Sequence, residues 1–537
     1  MTFVLGLLCL LLLAPLISVF SFLLQGDTGV LGHLVDTVLA DYVSHSLLLM
    51  AGVGSTVLVI AVLPAWLVTM YRFPLSRLLE WALLLPLAMP AYIIAYTYTG
   101  ALDVAGPVQT FIRTIFGVGF GEYYFPEIRS IGGATVMLSL VLYPYVYLLA
   151  RTAFVEQSVC VLEVSRTLGC SPRQAFFRVA LPLARPAIVA GMALVLMETL
   201  ADYGTVQYFG VPVFTTGIFR TWFGLGSSAG AAQLSAMLVT FVGLLAVLEG
   251  LSRRQAQYHH TGQRYSRLPR QTLGGGAAVV AFIYCSLPVL LGFVVPVGLL
   301  GYWALGHWQS VVDDSFLELA TNTLLLALTV ALIALLPALF AAYARRRRPG
   351  QVTSALHRCL GLGYAMPGTV IAVGVLIPFA WFDNTLDEFM RDHFDVSTGL
   401  LLSGTVFALI FAYVVRFVAV SLGSVDAGLS RLKPAADDVA RTLGLTGVRI
   451  LYRVHLPVMR GSLLTAALLV FVDVMKELPA TLVLRPFNFN TLAVKTYELA
   501  NDERLMEAAT PALLIVIVGI LPVVLLSRAI SGSRVGE

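Results

Sequence analysis

Two short stretches set acidic side chains inside otherwise apolar runs. The first reads Glu198-Thr-Leu-Ala-Asp202-Tyr203-Gly204-Thr205-Val206-Gln207-Tyr208, the second Asp473-Val-Met-Lys476-Glu477. A carboxylate at the centre of a bilayer costs about 2.5–3.5 kcal/mol on insertion scales, so it demands a partner or a wet cavity there. The acids of each stretch stand at i and i+4, which predicts one helical face for Glu198 with Asp202 and one for Asp473 with Glu477. Carboxylates and the phenols of Tyr203 and Tyr208 are hard oxygen ligands, suited to a hard cation. The predicted chemistry is a substrate pathway lined by Glu198, Asp202, Tyr203, Tyr208, Asp473 and Glu477, with Asp202 and Glu477 as transient metal ligands. A structural network, with Lys476 neutralising Asp473 or Glu477, is the other reading.

The elements that must hold these residues are membrane spans. Of 537 residues, 58% are hydrophobic and 12% charged, and the mean hydropathy is +0.87. A soluble domain carries about 25% charged residues, so this chain was not built to solvate its whole surface. Apolar runs long enough to cross lipid recur near 3–24, 46–70, 80–99, 133–153, 187–206, 231–251, 277–302, 322–343, 359–382, 400–424, 462–484 and 508–528. The expected fold is all-α and polytopic, with about twelve transmembrane helices. The first run is longer than a signal-peptide core, follows no basic residue and precedes no small-x-small site, so it reads as a retained anchor.

With the N-terminus in the cytoplasm, 26 of the 34 Lys and Arg residues fall on cytoplasmic segments, Arg151 and Arg416 counted among them. The positive-inside rule favours that orientation and puts both termini in the cytoplasm. The net charge of +4 is then topogenic and no footprint of a nucleic acid. Five cysteines show no CxxC pair and read as packing residues, and His259-His260 reads as a solvated pair.

The chain repeats itself. Residues 163–182, EVSRTLGCSPRQAFFRVALP, and 438–457, DVARTLGLTGVRILYRVHLP, are identical at nine of twenty positions with an offset of 275. Met89-Pro90 and Met366-Pro367 echo each other as well. The predicted organisation is a first six-helix half at 1–255, a cytoplasmic linker at 256–275 and a second six-helix half at 276–537. An even number of spans gives both halves one orientation, about an axis normal to the membrane, with a shared site between them.

Each repeat copy lies on a cytoplasmic loop, 155–186 or 426–461. Gly169 and Gly444 suit the left-handed residue that ends a helix. Ser171-Pro172 supplies a cap and a first-turn proline, with Thr446 as the cap in the second copy. An acidic residue, a glycine six residues on, then an aliphatic residue and Leu-Pro resemble the EAA loop of ABC-importer permeases. That resemblance implies coupling to an ATPase through Glu163, Gly169, Val179, Leu181 and Pro182 in the first copy. In the second copy it implies Asp438, Gly444, Val454, Leu456 and Pro457. Val164 and Val439 replace the motif's first alanine, and the second copy has Asp for Glu. The only lysines, Lys433, Lys476 and Lys495, follow Leu, Met and Val, so this chain holds no Gly-Lys-Ser/Thr phosphate loop. It needs no cofactor of its own, and ATP and Mg belong to two partner ATPase subunits.

The stretches around the acids, with 209–226 and 477–516, resemble the fused permeases of ferric-iron ABC importers along nearly the whole chain. The resemblance implies a bacterial inner-membrane protein that receives Fe(III), alone or with a small anion, from a periplasmic binding protein. It also implies alternating access and no enzymatic activity. Related permeases carry thiamine, phosphonates, polyamines or sugar phosphates, and fold does not fix cargo. An organic anion would call for midplane cations, for which the sequence offers only Lys476. A twelve-helix secondary carrier would leave both loop motifs unexplained: its second-to-third loop signature is absent from YRFPLSR.

Overall fold

The computed structural model describes residues 1–23, 29–156, 171–254, 270–430 and 432–532. Glu163 and Gly169, Cys160 and Cys170, and His259-His260 fall outside the described residues. Among the described residues eleven helices are long and apolar enough to cross a membrane. They become twelve if Ser76–Ala88 and Ala91–Phe116, bent by 93°, form one broken span. The all-α polytopic fold expected from the hydropathy is the one observed. The only strands among these residues are β1 (Tyr71–Arg72) and β2 (Gln271–Thr272), a short parallel pair.

Local chemistry sets where the helices begin and end. The helix α1 (Asp314–Arg347) starts at Asp313, whose carboxylate accepts from Phe316 N–H at 2.8 Å, and ends on Arg345, Arg346 and Arg347. An acid at the amino end and cations at the carboxyl end both favour the helix dipole. Pro90 and Pro367 force extended backbone on Met89 and Met366, and each proline then opens a new helix, Ala91–Leu102 or Gly368–Phe394.

The two halves interlock through their first spans. Thr2–Ser21 packs against Gly368–Phe394 of the second half, where a Cβ on Gly374 would strike the Pro15 carbonyl. In return, the helix that continues from Gly275 to Val311 packs on the first half. There Tyr98 Oη donates to Leu291 O at 2.7 Å and Tyr284 Oη to Val59 O at 2.8 Å. The linker's end is also fixed to the first half: Leu273 N–H donates to Arg72 O at 2.9 Å beyond the β1–β2 pair. Arg270 Nη2 reaches the buried Glu80 carboxylate at 2.8 Å.

Candidate functional site

Four helix breaks meet near the centre of the bundle. In the first half Leu181–Ala201 stops before Asp202, and a short helix begins at Gly204. In the second half Leu456–Met475 stops before Lys476, and Pro479–Leu484 follows. The Met-Pro breaks supply the other two. Between them lies a cavity of about 130 Å³, whose lining includes Met89, Tyr92, Tyr145, Glu198, Asp202, Tyr203, Tyr364, Arg416, Asp473, Lys476 and Glu477. Broken helices expose backbone N–H groups at membrane depth, where only a carboxylate, a substrate or water can satisfy them.

The acids meet that need directly. Asp202 Oδ2 accepts from Val206 N–H and Oδ1 from Thr205 Oγ1, both at 3.1 Å. Glu477 Oε1 and Oε2 accept from Ala480 N–H at 3.3 Å and Thr481 N–H at 3.4 Å. The i, i+4 spacing therefore works differently from the helical face expected of it. Asp202 and Glu477 lie past the ends of their helices, in the breaks, and only Glu198 and Asp473 sit on the last turns.

Five of the six pathway residues read from the sequence line this cavity. Tyr208 does not. It sits where Arg129 stacks over its ring, 5.2 Å from the centroid, and Arg129 also bonds Glu503 at 2.8 Å. Tyr203 lines the cavity with its ring stacked on Phe219 at 3.8 Å. Among the described residues no three His, Cys, Asp or Glu side chains gather as a resident metal site. Glu477, read as a metal ligand, already bonds Arg416 Nη1 at 2.6 Å, and Asp473 bonds Lys476 at 2.8 Å.

Arg416 is the residue that sequence reasoning misplaced. It was counted among the cytoplasmic cations, yet it lines the cavity and leaves Lys476 no longer the sole midplane cation. The signal was present: FAYVVRFVAV holds one arginine in an apolar run with no nearby polar residue. Arg151, expected among the cytoplasmic cations, is buried rather than solvated. It lies at the inner end of Ile131–Glu156, 2% exposed, against Glu80 and over the Trp81 ring.

The two walls of the cavity differ in charge. At the 275 offset Arg416 corresponds to Val141 and Lys476 to Ala201, so both cations belong to the second half. Four carboxylates and two cations line the space, and the first half's Glu198 and Asp202 have no cation from their own half beside them.

The second loop is described except at residue 431. A short helix, α2 (Pro434–Thr442), carries Asp438 exposed at its surface and paired with Arg441 at 2.8 Å. Gly444 has φ +80°, the left-handed conformation expected of it. The next turn, Val448–Ile450, is capped by Gly447 at φ +52°, not by Thr446. Val454 lies in a five-residue π turn, Leu451–His455, which runs directly into Leu456-Pro457. The first half repeats that turn at Phe176–Ala180, holding Val179 just before Leu181-Pro182. There Ser171 and Gln174 form the reciprocal cap: Gln174 N–H donates to Ser171 Oγ at 3.3 Å and Ser171 N–H to Gln174 Oε1 at 2.9 Å.

Comparison with known proteins finds the same duplication. Residues 57–258 and 334–534 each match the family described as "Binding-protein-dependent transport system inner membrane component". The Fe(3+)-transport system permease protein FbpB 2 of Haemophilus influenzae is 27% identical over 494 residues, covering 91% of this chain and 90% of that protein. The ferric transport system permease protein FbpB of Actinobacillus pleuropneumoniae is 22% identical over 418 residues, 74% of this chain and 58% of that protein. A molybdenum transport system permease protein, ModB of Haemophilus influenzae, is 27% identical over 202 residues, 36% of this chain and 85% of that protein. A relative matched along most of its length by barely a third of this chain is what a fusion of two halves predicts. The chain belongs to the binding-protein-dependent inner-membrane transport components, as a multi-pass ABC-type permease carrying both halves in one polypeptide.

Proposed function

We propose that this permease moves Fe(III), alone or with a small anion, from a periplasmic binding protein to the cytoplasm by alternating access. Two copies of a P-loop ATPase grip the loops at 155–186 and 426–461, and both termini lie on that cytoplasmic side. The coupling residues are Glu163, Gly169, Val179, Leu181 and Pro182 with Asp438, Gly444, Val454, Leu456 and Pro457. ATP and Mg are bound by those partners. Closure of the ATPases draws the loops together and turns the central cavity toward the loaded binding protein.

One observation supports a cationic cargo above the rest: the excess of carboxylates in the cavity, concentrated on the first-half wall. Arg416 and Lys476 pair with Glu477 and Asp473, which leaves Glu198 and Asp202 as the cavity acids without an ion pair among the described residues. Hard oxygen donors suit a hard trivalent ion. The two FbpB relatives, named for ferric transport, point the same way. The test is uptake of radiolabelled Fe(III) by proteoliposomes holding permease, ATPase and loaded binding protein. ATP-dependent accumulation is expected, and its absence with a functional ATPase would overturn the cargo.

Arg416 and Lys476 favour one second reading, an oxyanion cargo, in keeping with the molybdenum permease relative. Molybdate uptake in the same vesicles, unaffected by Fe(III), would select it.

A further inference from the structure

The second loop is fastened to the membrane spans by one ionic cluster. In the second half Asp437, next to the motif's Asp438, stands between an arginine and a histidine. Arg346 Nε lies 2.8 Å from Asp437 Oδ2 and its Nη2 3.2 Å from Oδ1. His455 Nε2 lies 2.7 Å from Oδ1. Arg346 closes the last turn of α1, and its Nη1 also donates to Leu429 O at 2.8 Å and Leu432 O at 3.1 Å, the carbonyl end of the helix Val406–Ser430. His455, 1% exposed, ends the π turn that opens the following span. Tyr343 Oη donates to Gly447 O at 2.6 Å, a further tie from α1 to the loop. One carboxylate thus joins α2 to the ends of three spans.

The first half cannot form this cluster. Asp437 becomes Leu162 and His455 becomes Ala180 at the 275 offset, and Arg346 becomes Thr69 at the 277 spacing of the first spans. In its place the described residues show an aromatic joint. Trp66 packs on Phe154 with ring centroids at 5.3 Å and on Phe176 at 5.2 Å. At the 277 spacing of the first spans Trp66 corresponds to Tyr343, and at 275 Phe154 and Phe176 correspond to Leu429 and Leu451, so only one of the three counterparts is aromatic. A bidentate arginine–carboxylate pair fixes direction as well as distance.

We infer that Asp437 is a positioning residue for transport: it locks the second coupling helix to its three spans, so that loop and spans move as one body. This rests on the coupling reading of the loops. Burial acts to raise the pKa of Asp437, and the hydrogen bonds from Arg346 and His455 outweigh it, holding the carboxyl below the usual range. The lock is therefore charged at any physiological pH. A cavity of about 150 Å³ beside the carboxylate, lined in part by Tyr343, Arg347, Arg441 and Thr446, leaves room for one more methylene.

The experiment compares wild type, Asp437→Asn and Asp437→Glu. In vesicles with ATPase and loaded binding protein, Asp437→Asn is expected to keep basal ATP hydrolysis within about twofold and to cut cargo moved per ATP about tenfold, with Asp437→Glu restoring most of it. Hydrogen exchange on the purified permease in nanodiscs, without ATPase, is expected to quicken about tenfold at the amides of 435–447 in Asp437→Asn and to stay slow at 39–70. Unchanged cargo per ATP, or unchanged exchange at 435–447, overturns the inference. A wild-type permease that recruits no ATPase overturns the coupling reading and the transmission with it; exchange needs no ATPase, so the two failures are told apart.

Discussion

Arg416 Nη1 stands 2.6 Å from Glu477 Oε1 beneath the first residue of the helix Gly368–Phe394, and a Cβ on Gly368 would collide with both groups. The ion pair fills the space that a side chain would otherwise take, so glycine there is a packing requirement. Arg416→Gln leaves a carboxylate 97% buried with no counter-charge. Removing one member of such a pair is expected to cost about 3–5 kcal/mol, and Arg416→Gln with Glu477→Gln together should recover most of it. Thermal unfolding followed by size-exclusion chromatography in detergent measures both. Gly368→Ala should resemble the single variant, and equal melting of all four proteins would contradict the account.

Asp202 has two roles that one pair of variants can separate. Its carboxylate accepts from Val206 N–H and Thr205 Oγ1, and its charge is offered to the cavity. Asp202→Ala removes both and is expected to lose about 1 kcal/mol of stability along with uptake. Asp202→Asn keeps an acceptor for the amide, so it should melt within about 0.5 kcal/mol of wild type and still lose most Fe(III) uptake. Uptake unaffected by Asp202→Asn would reduce this residue to a helix cap.

Much of this was legible from composition and spacing. Apolar runs marked the spans because lipid admits little else, and the loops were found because two copies matched at one offset. Three features escaped for physical reasons. The helix breaks were hidden because Leu-Ala-Asp202-Tyr203 and Met-Lys476-Glu477-Leu continue a helical pattern until proline or glycine intervenes. Arg416 was misplaced because counting cations by loop gives no weight to one arginine inside a long span, whose partner lies 61 residues away. Tyr208 was grouped with the pathway on sequence proximity, though the short helix Gly204–Tyr208 carries it away toward Arg129.

The interlock of the halves rests on contacts with no room to spare. Gly374 brings its helix onto the Pro15 carbonyl, and Gly292 brings the second half's first span onto the Leu140 carbonyl, 2.7 Å from where a Cβ would stand. Gly374→Val inserts a branched side chain into this crossing and is expected to destabilise by about 1–3 kcal/mol. If residues 1–255 and 256–537 are expressed as separate chains, they should co-purify, and Gly374→Val should weaken that association. Undiminished co-purification would mean that the first spans contribute little to holding the halves together.

At matching ends of the spans the repeat keeps an acid–base contact and exchanges the side that carries the acid. Glu80 and Arg151 form it in the first half, with Arg270 as a third member at 2.8 Å from Glu80. In the second half His357 Nε2 lies 3.0 Å from Asp426, and Arg345 lies 3.2 Å from the same carboxylate. Asp426 stands at the offset position of Arg151, and His357 follows Glu80 at the 277 spacing that also separates the two Met-Pro pairs. Reversal argues that an attractive, desolvated contact is what the position requires, whichever side carries the acid. Glu80→Gln should then be the most damaging single change, because it leaves Arg151 buried and unpaired at about 3–5 kcal/mol. Arg270→Gln removes one of the two guanidinium partners among the described residues, from a site 16% exposed, and should cost about 1–2 kcal/mol while loosening the linker's short strand. Glu80→His alone takes away the carboxylate that Arg151 and Arg270 share and should fail. Combined with Arg151→Asp it copies the second half's arrangement and should regain at least half of the lost melting temperature. If the double variant proved no better than Glu80→His, the position would demand a particular geometry of glutamate and arginine beyond opposite charge.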